Sequence, residues 1–368
     1  MRTGVFLPNW IGDVVMATPA VRALRRQADD TGGQLFAIAK PYVASVLEGL
    51  GWVDGTICSK RGAGAGTERQ PPLFRRLRDA RLDRVVLLTN SLGTAWAAWR
   101  SGVPERIGLV REGRGPLLTT RVYEARRRGR RIEAPAIDSY LTTAYAAGAD
   151  YQPPTLQLAT TAEDERLADE VWRRLGLPAS GPASGLAGGS VVVLNSGGAF
   201  GAAKSWPVEH FAGLAARFAS SGLHVLVNCG PAERDAARQI ARGANSPRVV
   251  SLADWPAADA WSVPLGLSKA VIRRCRLLVS TDSGPRFFGV AFGRPVVSLF
   301  GPTGHAATRT HYPLETPLAL DMPCRPCMKA SCPLGHHRCM RDLSVDRVYR
   351  AAQDLLRRTA ADGIPQAA

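Results

Sequence analysis

The chain has 368 residues, enough for two domains, and its 45% hydrophobic content is ordinary for a soluble globular protein. No run approaches 18 consecutive apolar residues, which argues against a spanning helix. The opening "MRTGVFLPNWIGD" has too short an apolar segment for a secretion signal, so a cytoplasmic chain is expected. The formal net charge is +16, and only five of the 47 basic residues are lysine; such a surface is either simply solvated or attracts nucleic acid, an anionic bilayer, or acidic saccharide and phosphate groups.

In chain order, "GVFLP" reads as a strand and "DVVMATPAVRALRRQ" as an amphipathic helix entered at Asp13. "QLFAIA" is a strand, "PYVASVLEGL" a helix with proline in its first turn, and "DRVVLLTN" another strand. Near-continuous apolar strands separated by helices predict a parallel sheet covered on both faces. The run "RRRGRRIE" at 126–133 is either a solvated loop or a face for an anionic acceptor. Helices near "AIDSYLTTAYAAG" and "AEDERLADEVWRRLGL" close this half.

The stretch "PASGPASGLAGG" has linker composition. After it the alternation restarts, from "SVVVLN" to "PVVSLFG", and a helix over "SVDRVYRAAQDLLRRTA" ends the pattern. The expected organisation is an acceptor domain at 1–177, a linker at 178–189 and a nucleotide-sugar domain at 190–345 with a cysteine-rich tail. A C-terminal helix at 346–368 is expected to pack back on the first domain. Two doubly wound units place ligands at the C-terminal ends of their strands.

Three loops carry the chemistry. "LPNWIGD" has one glycine, Gly12, where a dinucleotide-binding loop needs three, so a dehydrogenase is disfavoured. Asp13 is either a helix N-cap or a general base positioned to take a proton from a hydroxyl. "NSGGAFGAAKSWP" gives G-x-x-x-x-A-K-S from Gly198, one residue short of a triphosphatase loop, because Ala203 stands where glycine is required. Pro207 suits a helix start and leaves Lys204 in the loop before it. Ser196, Gly197, Gly198 and Gly201 allow backbone N–H groups to approach an anion, and Lys204 adds a point charge; the alternative is a surface lysine. In the third loop, Asp282 resembles a magnesium-binding aspartate. However, Ser283 and Gly284 offer a hydroxyl and bare backbone at a helix start, which suits direct phosphate binding.

These stretches, together with "LTNSLGTAWAAWRSGVPERIG", "TDSGPRFFGVAFGRPVVSLFGPT" and "CRPCMKASCPLGHHRCM", resemble the ADP-heptose:lipopolysaccharide heptosyltransferases of glycosyltransferase family 9, especially the heptosyltransferase II branch. The resemblance implies a GT-B architecture: two Rossmann-like domains facing across a cleft, donor on the C-terminal one and acceptor on the N-terminal one. It implies inverting transfer from an ADP-sugar without metal or cofactor. Asp13 would be the base and Lys204 would stabilise the leaving diphosphate. Ser196, Gly197, Asp282, Ser283 and Gly284 would line the donor pocket, and Glu233, in "GPAERD", falls where the family has a ribose-contacting glutamate. The implied acceptor is an anionic glycolipid or glycan, met in peripheral contact with the inner-membrane surface.

One position departs from the family pattern. Phe287 stands five residues after the aspartate, where the family has histidine, and phenylalanine cannot donate to a phosphate or sugar oxygen. It supports an alternative: a nucleotide- or carbohydrate-binding protein with reduced or lost turnover. Cys324, Cys327, Cys332 and Cys339, with His336 and His337 among them, have the density of a zinc site, and also suit a thiol-rich packed loop or disulfides. Cys58, Cys229 and Cys275 lie in or beside apolar runs and are expected to be buried thiols. No recognisable RNA- or DNA-binding motif accompanies the charge, so nucleic acid is not expected as a specific partner.

Overall fold

A computed structural model describes residues 1–59, 71–128, 130–178, 189–198, 200–255 and 263–362. The chain divides into two compact units. Met1–Ala159 with Ala306–His311 forms the first, and Thr160–His305 with Tyr312–Ala368 the second.

The first unit runs β1 (Arg2–Phe6), α1 (Ile11–Asp30), β2 (Gln34–Ala39), α2 (Pro41–Ala44), β3 (Gly55–Cys58), α3 (Leu73–Asp79), β4 (Arg84–Leu87), α4 (Leu92–Ser101), β5 (Glu105–Leu109) and β6 (Thr120–Val122). A short hairpin of β7 (Arg126–Arg127) and β8 (Arg130–Arg131) and then α5 (Ala136–Ala146) complete it. The six main strands are all parallel, in the order β3-β2-β1-β4-β5-β6.

The second unit opens with α6 (Ala162–Arg174) and continues with β9 (Val191–Asn195), α7 (Val208–Ser220), β10 (His224–Asn228), α8 (Arg234–Gly243), β11 (Val249–Ser251) and α9 (Leu265–Arg273). It ends with β12 (Leu277–Thr281), α10 (Gly284–Ala291), β13 (Val296–Phe300), β14 (Glu315–Ala319), α11 (Arg338–Arg341) and α12 (Val345–Asp362). Its sheet, β11-β10-β9-β12-β13-β14, is parallel and repeats the strand order of the first. Every residue of β4, β9, β12 and β13 is buried, as helices on both faces require. In each sheet the chain reverses direction across its first strand. The switch points therefore lie between β1 and β4 and between β9 and β12, where this class of sheet places its ligands.

Three features differ from the sequence expectation. The division falls at Ala159, not 177, because α6 packs on α9: Glu165 binds Arg273 at 2.7 Å and Arg274 at 2.6 Å. The C-terminal helix α12 packs on α7 and on β12, β13 and β14 of the second unit, burying Val348, Ala352 and Leu355 there. The expected helix over "PYVASVLEGL" is one turn, α2, followed by a 3-10 turn at Ser45–Leu47. Most of the expected linker, residues 179–188, lies outside the described residues.

The α6–α9 contact depends on a missing side chain. A Cβ on Gly266 would stand 1.7 Å from Asp164 Oδ1, and Asp164 completes the capping box of α6 with Thr161. Gly266→Ala is therefore expected to cost about 1–3 kcal/mol in urea unfolding, the usual range for overpacking. In an Asp164→Ala background the added cost should shrink. An equal loss in both backgrounds would show that the contact is not the cause.

Candidate active site

The second unit gathers its candidate site residues at the β9–β12 switch point. Asn195, the last residue of β9, is 4% exposed. Its Nδ2 donates to Gly197 O at 3.2 Å and to Ser283 Oγ at 3.2 Å, while its Oδ1 accepts from Asn228 Nδ2 at 3.0 Å. Thr281 Oγ1 also donates to Gly197 O, at 3.0 Å. These bonds pin the Ser196–Gly198 loop over the C-terminal ends of β9 and β12. Ser196 Oγ is buried and has no hydrogen-bond partner among the described residues, which marks the loop as a place for an incoming acceptor or donor.

Gly197 is required by close approach: a Cβ there would lie 2.6 Å from Glu233 Cδ and 2.8 Å from its Oε1. Glu233, in the turn before α8, is held by Gly230 N donating to Oε2 at 3.0 Å. The expected donor-site residues Ser196, Gly197, Glu233 and Ser283 are thus brought together in one place.

Lys204 ends a 3-10 turn, Ala202–Lys204, and α7 starts only at Val208, after Pro207. The lysine therefore projects from a loop, unlike a triphosphatase lysine. Its Nζ donates to Asp282 Oδ2 at 2.7 Å and to Asp282 O at 2.8 Å, and lies 4.7 Å from the centroid of the Phe200 ring. Asp282 is 5% exposed. Its Oδ2 also accepts from Thr303 Oγ1 at 2.7 Å, and Oδ1 accepts from Arg286 Nη1 at 3.1 Å. Arg286, fully buried on α10, donates Nε to Glu315 Oε1 at 2.5 Å, where Ser298 Oγ donates at 2.6 Å. Asp282 thus acts as the internal counter-ion that aims Lys204. Sequence reasoning missed Thr303, Arg286 and Glu315 as its supports and Asn195 as the clamp of the Ser196–Gly198 loop; Asn195, a polar residue ending an apolar strand, was the readable signal.

Ser283 is the N-cap of α10, in extended conformation, and Gly284 is the first helical residue. The helix start and the Ser196–Gly198 loop together present backbone N–H groups and a positive dipole end to an anion. Phe287 is 4% exposed, its ring centroid 4.7 Å from the Arg286 guanidinium carbon.

Asp13 belongs to the first unit. It lies in the first turn of α1, whose N-cap is Trp10, so the N-cap reading of Asp13 is corrected. It is partly buried. Burial of the Tyr140 hydroxyl, and then the negative charge of Asp13, hold that phenol well above its usual range, with Arg111 opposing them. Arg111 is ion-paired with Glu124. The neighbouring Arg114 is fully buried and donates to Leu109 O at 2.8 Å, to Thr89 O and to Asn90 Oδ1. Burial pulls its guanidinium down to about 10, so it stays protonated at neutral pH while tying together the loops after β4 and β5. Tyr140 and Arg111 were not legible as companions of Asp13, because they come from distant segments.

The cysteine-rich segment braces the loop that carries Lys204 and the loop after β13. Ala203 N donates to Ala330 O at 3.0 Å, and Arg325 donates to Gly301 O, to Leu320 O at 2.5 Å and to Thr303 O at 3.2 Å. A small cavity is lined by Cys324, Cys327, Cys332, Cys339, His336 and His337, beside Ala203 and Pro302. All seven cysteines are free thiols. Among the described residues no group of three or more His, Cys, Asp or Glu side chains is arranged to hold a metal ion. Burial pushes the Cys229 and Cys275 thiols up to about 12, whereas Cys58 is only partly buried at the end of β3.

Burial alone would raise the Asp282 carboxyl, but Arg286 and Lys204 outweigh it and hold the group below its ordinary value of 3.8. A lowered native value means that the ionised form contributes stability present above 3.8 and lost as pH falls through that lower value. Asp282→Asn should therefore cost about 3–5 kcal/mol at neutral pH, since the partly buried Lys204 loses its counter-ion and the buried Arg286 keeps only Glu315. The gap from wild type should narrow as urea unfolding is repeated at falling pH through that window. A gap independent of pH would exclude the ion cluster as its source.

The comparisons with known proteins agree on one family. The model for glycosyltransferase family 9 (heptosyltransferase) matches residues 72–338. Lipopolysaccharide heptosyltransferase 2 of Escherichia coli is 25% identical over 97% of this chain and 99% of its own length. Lipooligosaccharide heptosyltransferase 2 of Campylobacter jejuni is 30% identical over 46% of this chain, which spans about half, 52%, of that relative. The solved E. coli ADP-heptose LPS heptosyltransferase II shares the fold at a TM-score of 0.74, with 22% identity over 98% of this chain and 100% of the other. A family 9 glycosyl transferase from Veillonella parvula gives 0.75, with 22% identity over 97% of each chain. With its family model matched over more than half of its residues and its two Rossmann-like units those of the GT-B fold, the chain belongs to glycosyltransferase family 9, the heptosyltransferases, and is a glycosyltransferase.

Proposed function

We propose that this chain moves a heptose from ADP-heptose to a lipopolysaccharide core or related anionic glycan, with inversion and without a metal ion. The acceptor hydroxyl oxygen forms a bond to the anomeric carbon, and the bond from that carbon to the diphosphate oxygen breaks. The acceptor proton passes to Asp13, and ADP leaves. The observation that carries the reading is Lys204, held by Asp282 immediately before the N-cap of α10, in the unit that also carries the buried, unpaired Ser196 hydroxyl. Two of the ammonium hydrogens are engaged by Asp282, which leaves the third for a diphosphate oxygen.

Metal-free transfer is supported by Asp282 itself. Its two oxygens are occupied by Lys204, Thr303 and Arg286, so the carboxylate resembling a magnesium ligand is already neutralised by side-chain cations. Glu233, beside Gly197, suits the ribose hydroxyls of the adenosine. On the acceptor side, Asp13 lies in the first turn of α1, where the positive end of the helix dipole favours negative charge, and a carboxylate there can accept a proton. The acceptor is met at the cytoplasmic face of the inner membrane.

A second reading, a donor-binding protein without turnover, draws on Phe287, which replaces the family's histidine. One set of measurements separates the two. Wild type should bind ADP in preference to UDP or GDP by calorimetry without magnesium, and should release ADP from ADP-heptose in the presence of acceptor. Asp13→Ala should lower turnover by about 10²–10⁴-fold while ADP affinity is kept. Lys204→Ala should weaken ADP binding by about 10–100-fold, the range for a charge-assisted hydrogen bond. Near-normal turnover in Asp13→Ala would discard the base, and unchanged ADP affinity in Lys204→Ala would discard the leaving-group role. ADP binding with no product under any acceptor would favour the second reading.

A further inference from the structure

The segment "LGTAWAAWRS" is α4, and the donor chemistry makes no use of it. Ala95, Ala97 and Ala98 turn inward and join Leu77, Val85 and Leu87 in the core of the first unit. The opposite face carries Leu92, Trp96 and Trp99, which are 49%, 46% and 49% exposed. Their spacing of four and three residues puts them in one stripe along the helix. Two half-exposed tryptophans in one stripe are unusual, because indoles are highly buried on average.

The stripe is ordered and has a charged border. Phe74 of α3 meets Trp96 edge-on, with ring centroids 6.1 Å apart, and the Arg100 guanidinium lies 5.2 Å from the Phe74 ring. Arg78 donates to Arg100 O at 3.1 Å and to Ser101 O at 3.4 Å, fixing α3 against the end of α4. The two helices carry Arg75, Arg76, Arg78 and Arg100 against a single acid, Asp79. Arg75, Arg78 and Arg100 are exposed.

We infer that the α3–α4 face of the first unit docks on an anionic lipid bilayer. Trp96 and Trp99 enter the headgroup layer, where an amphipathic indole is most stable, and Arg75, Arg78 and Arg100 meet lipid phosphates. Charge selects this occupant over a second copy of the chain, because two such faces would set arginines against arginines. The inference deepens the reading above and rests on it in one respect, the membrane-bound acceptor. Docking is nevertheless measured without donor, acceptor or turnover, so the two can fail separately.

The test is co-sedimentation of the full chain with vesicles of equal parts phosphatidylglycerol and phosphatidylcholine, and with phosphatidylcholine alone. Wild type should bind the anionic vesicles, and binding should weaken as salt is raised. Arg75→Gln with Arg100→Gln should lower the partition coefficient by about tenfold or more, since each arginine contributes about fivefold near such a surface. Trp96→Ala with Trp99→Ala should lower it comparably, with melting temperature and ADP titration unchanged in both variants. Binding that survives both double variants would overturn the assignment, as would no preference for anionic vesicles. A dimer seen by light scattering and abolished by the tryptophan variant would give the face to a second copy instead.

Discussion

Asp282 is the constraint on which the donor half depends. Placing a carboxylate at 5% exposure is costly unless its charge is met, and here Lys204, Arg286 and Thr303 meet it from three directions. Glu315 balances Arg286 in turn, so two cations and two anions close on one another inside the second unit. Within that cluster Lys204, at 13% side-chain exposure, is more open to solvent than Asp282, Arg286 or Glu315. The lysine contributes direction, which a balanced and fixed ammonium supplies better than a mobile one.

Both units use the same topological device for different chemistry. Each places its functional loops after the first and fourth strands of a sheet ordered 3-2-1-4-5-6, where the connections diverge to opposite faces. In the second unit the switch point holds small residues, amides and a lysine. In the first it holds a carboxylate in the first turn of α1, with Tyr140 and Arg111 acting on the same field. A carboxylate and an anion cradle would neutralise each other in one crevice, and here each belongs to a different unit of the chain.

The central strands and the helices beside them were legible because both faces of a parallel sheet demand near-continuous apolar runs; "QLFAIA" and β2 coincide residue for residue. Three of the four edge strands were not: β3, β6 and β14 are partly exposed, β3 and β6 are also short, and β14 contains Pro317, so they lack that signature. The loop residues Ser196, Gly197, Lys204, Asp282 and Ser283 stood out through small-residue content and position after strands. Their supports did not: Glu315 reaches Arg286 from another strand, and Tyr140 reaches the field of Asp13 from α5, pairings that only the fold creates. Membership of α6 was misread for a similar reason, since the Glu165–Arg274 contact joins residues 109 apart in sequence.

Phe287 carries less weight against turnover than its chemistry first suggests. Arg286 has no exposed surface, and its guanidinium lies between two aromatic rings, 4.7 Å from Phe287 and 4.8 Å from Phe300. Such faces attract a cation and offset part of its desolvation. A histidine at 287 would present a weaker face there, and when protonated would set a second positive charge beside Arg286. The phenylalanine is thus coupled to the ion cluster that holds Asp282 and, through it, Lys204. Its aromatic face therefore supports the guanidinium that holds Asp282, which in turn holds Lys204.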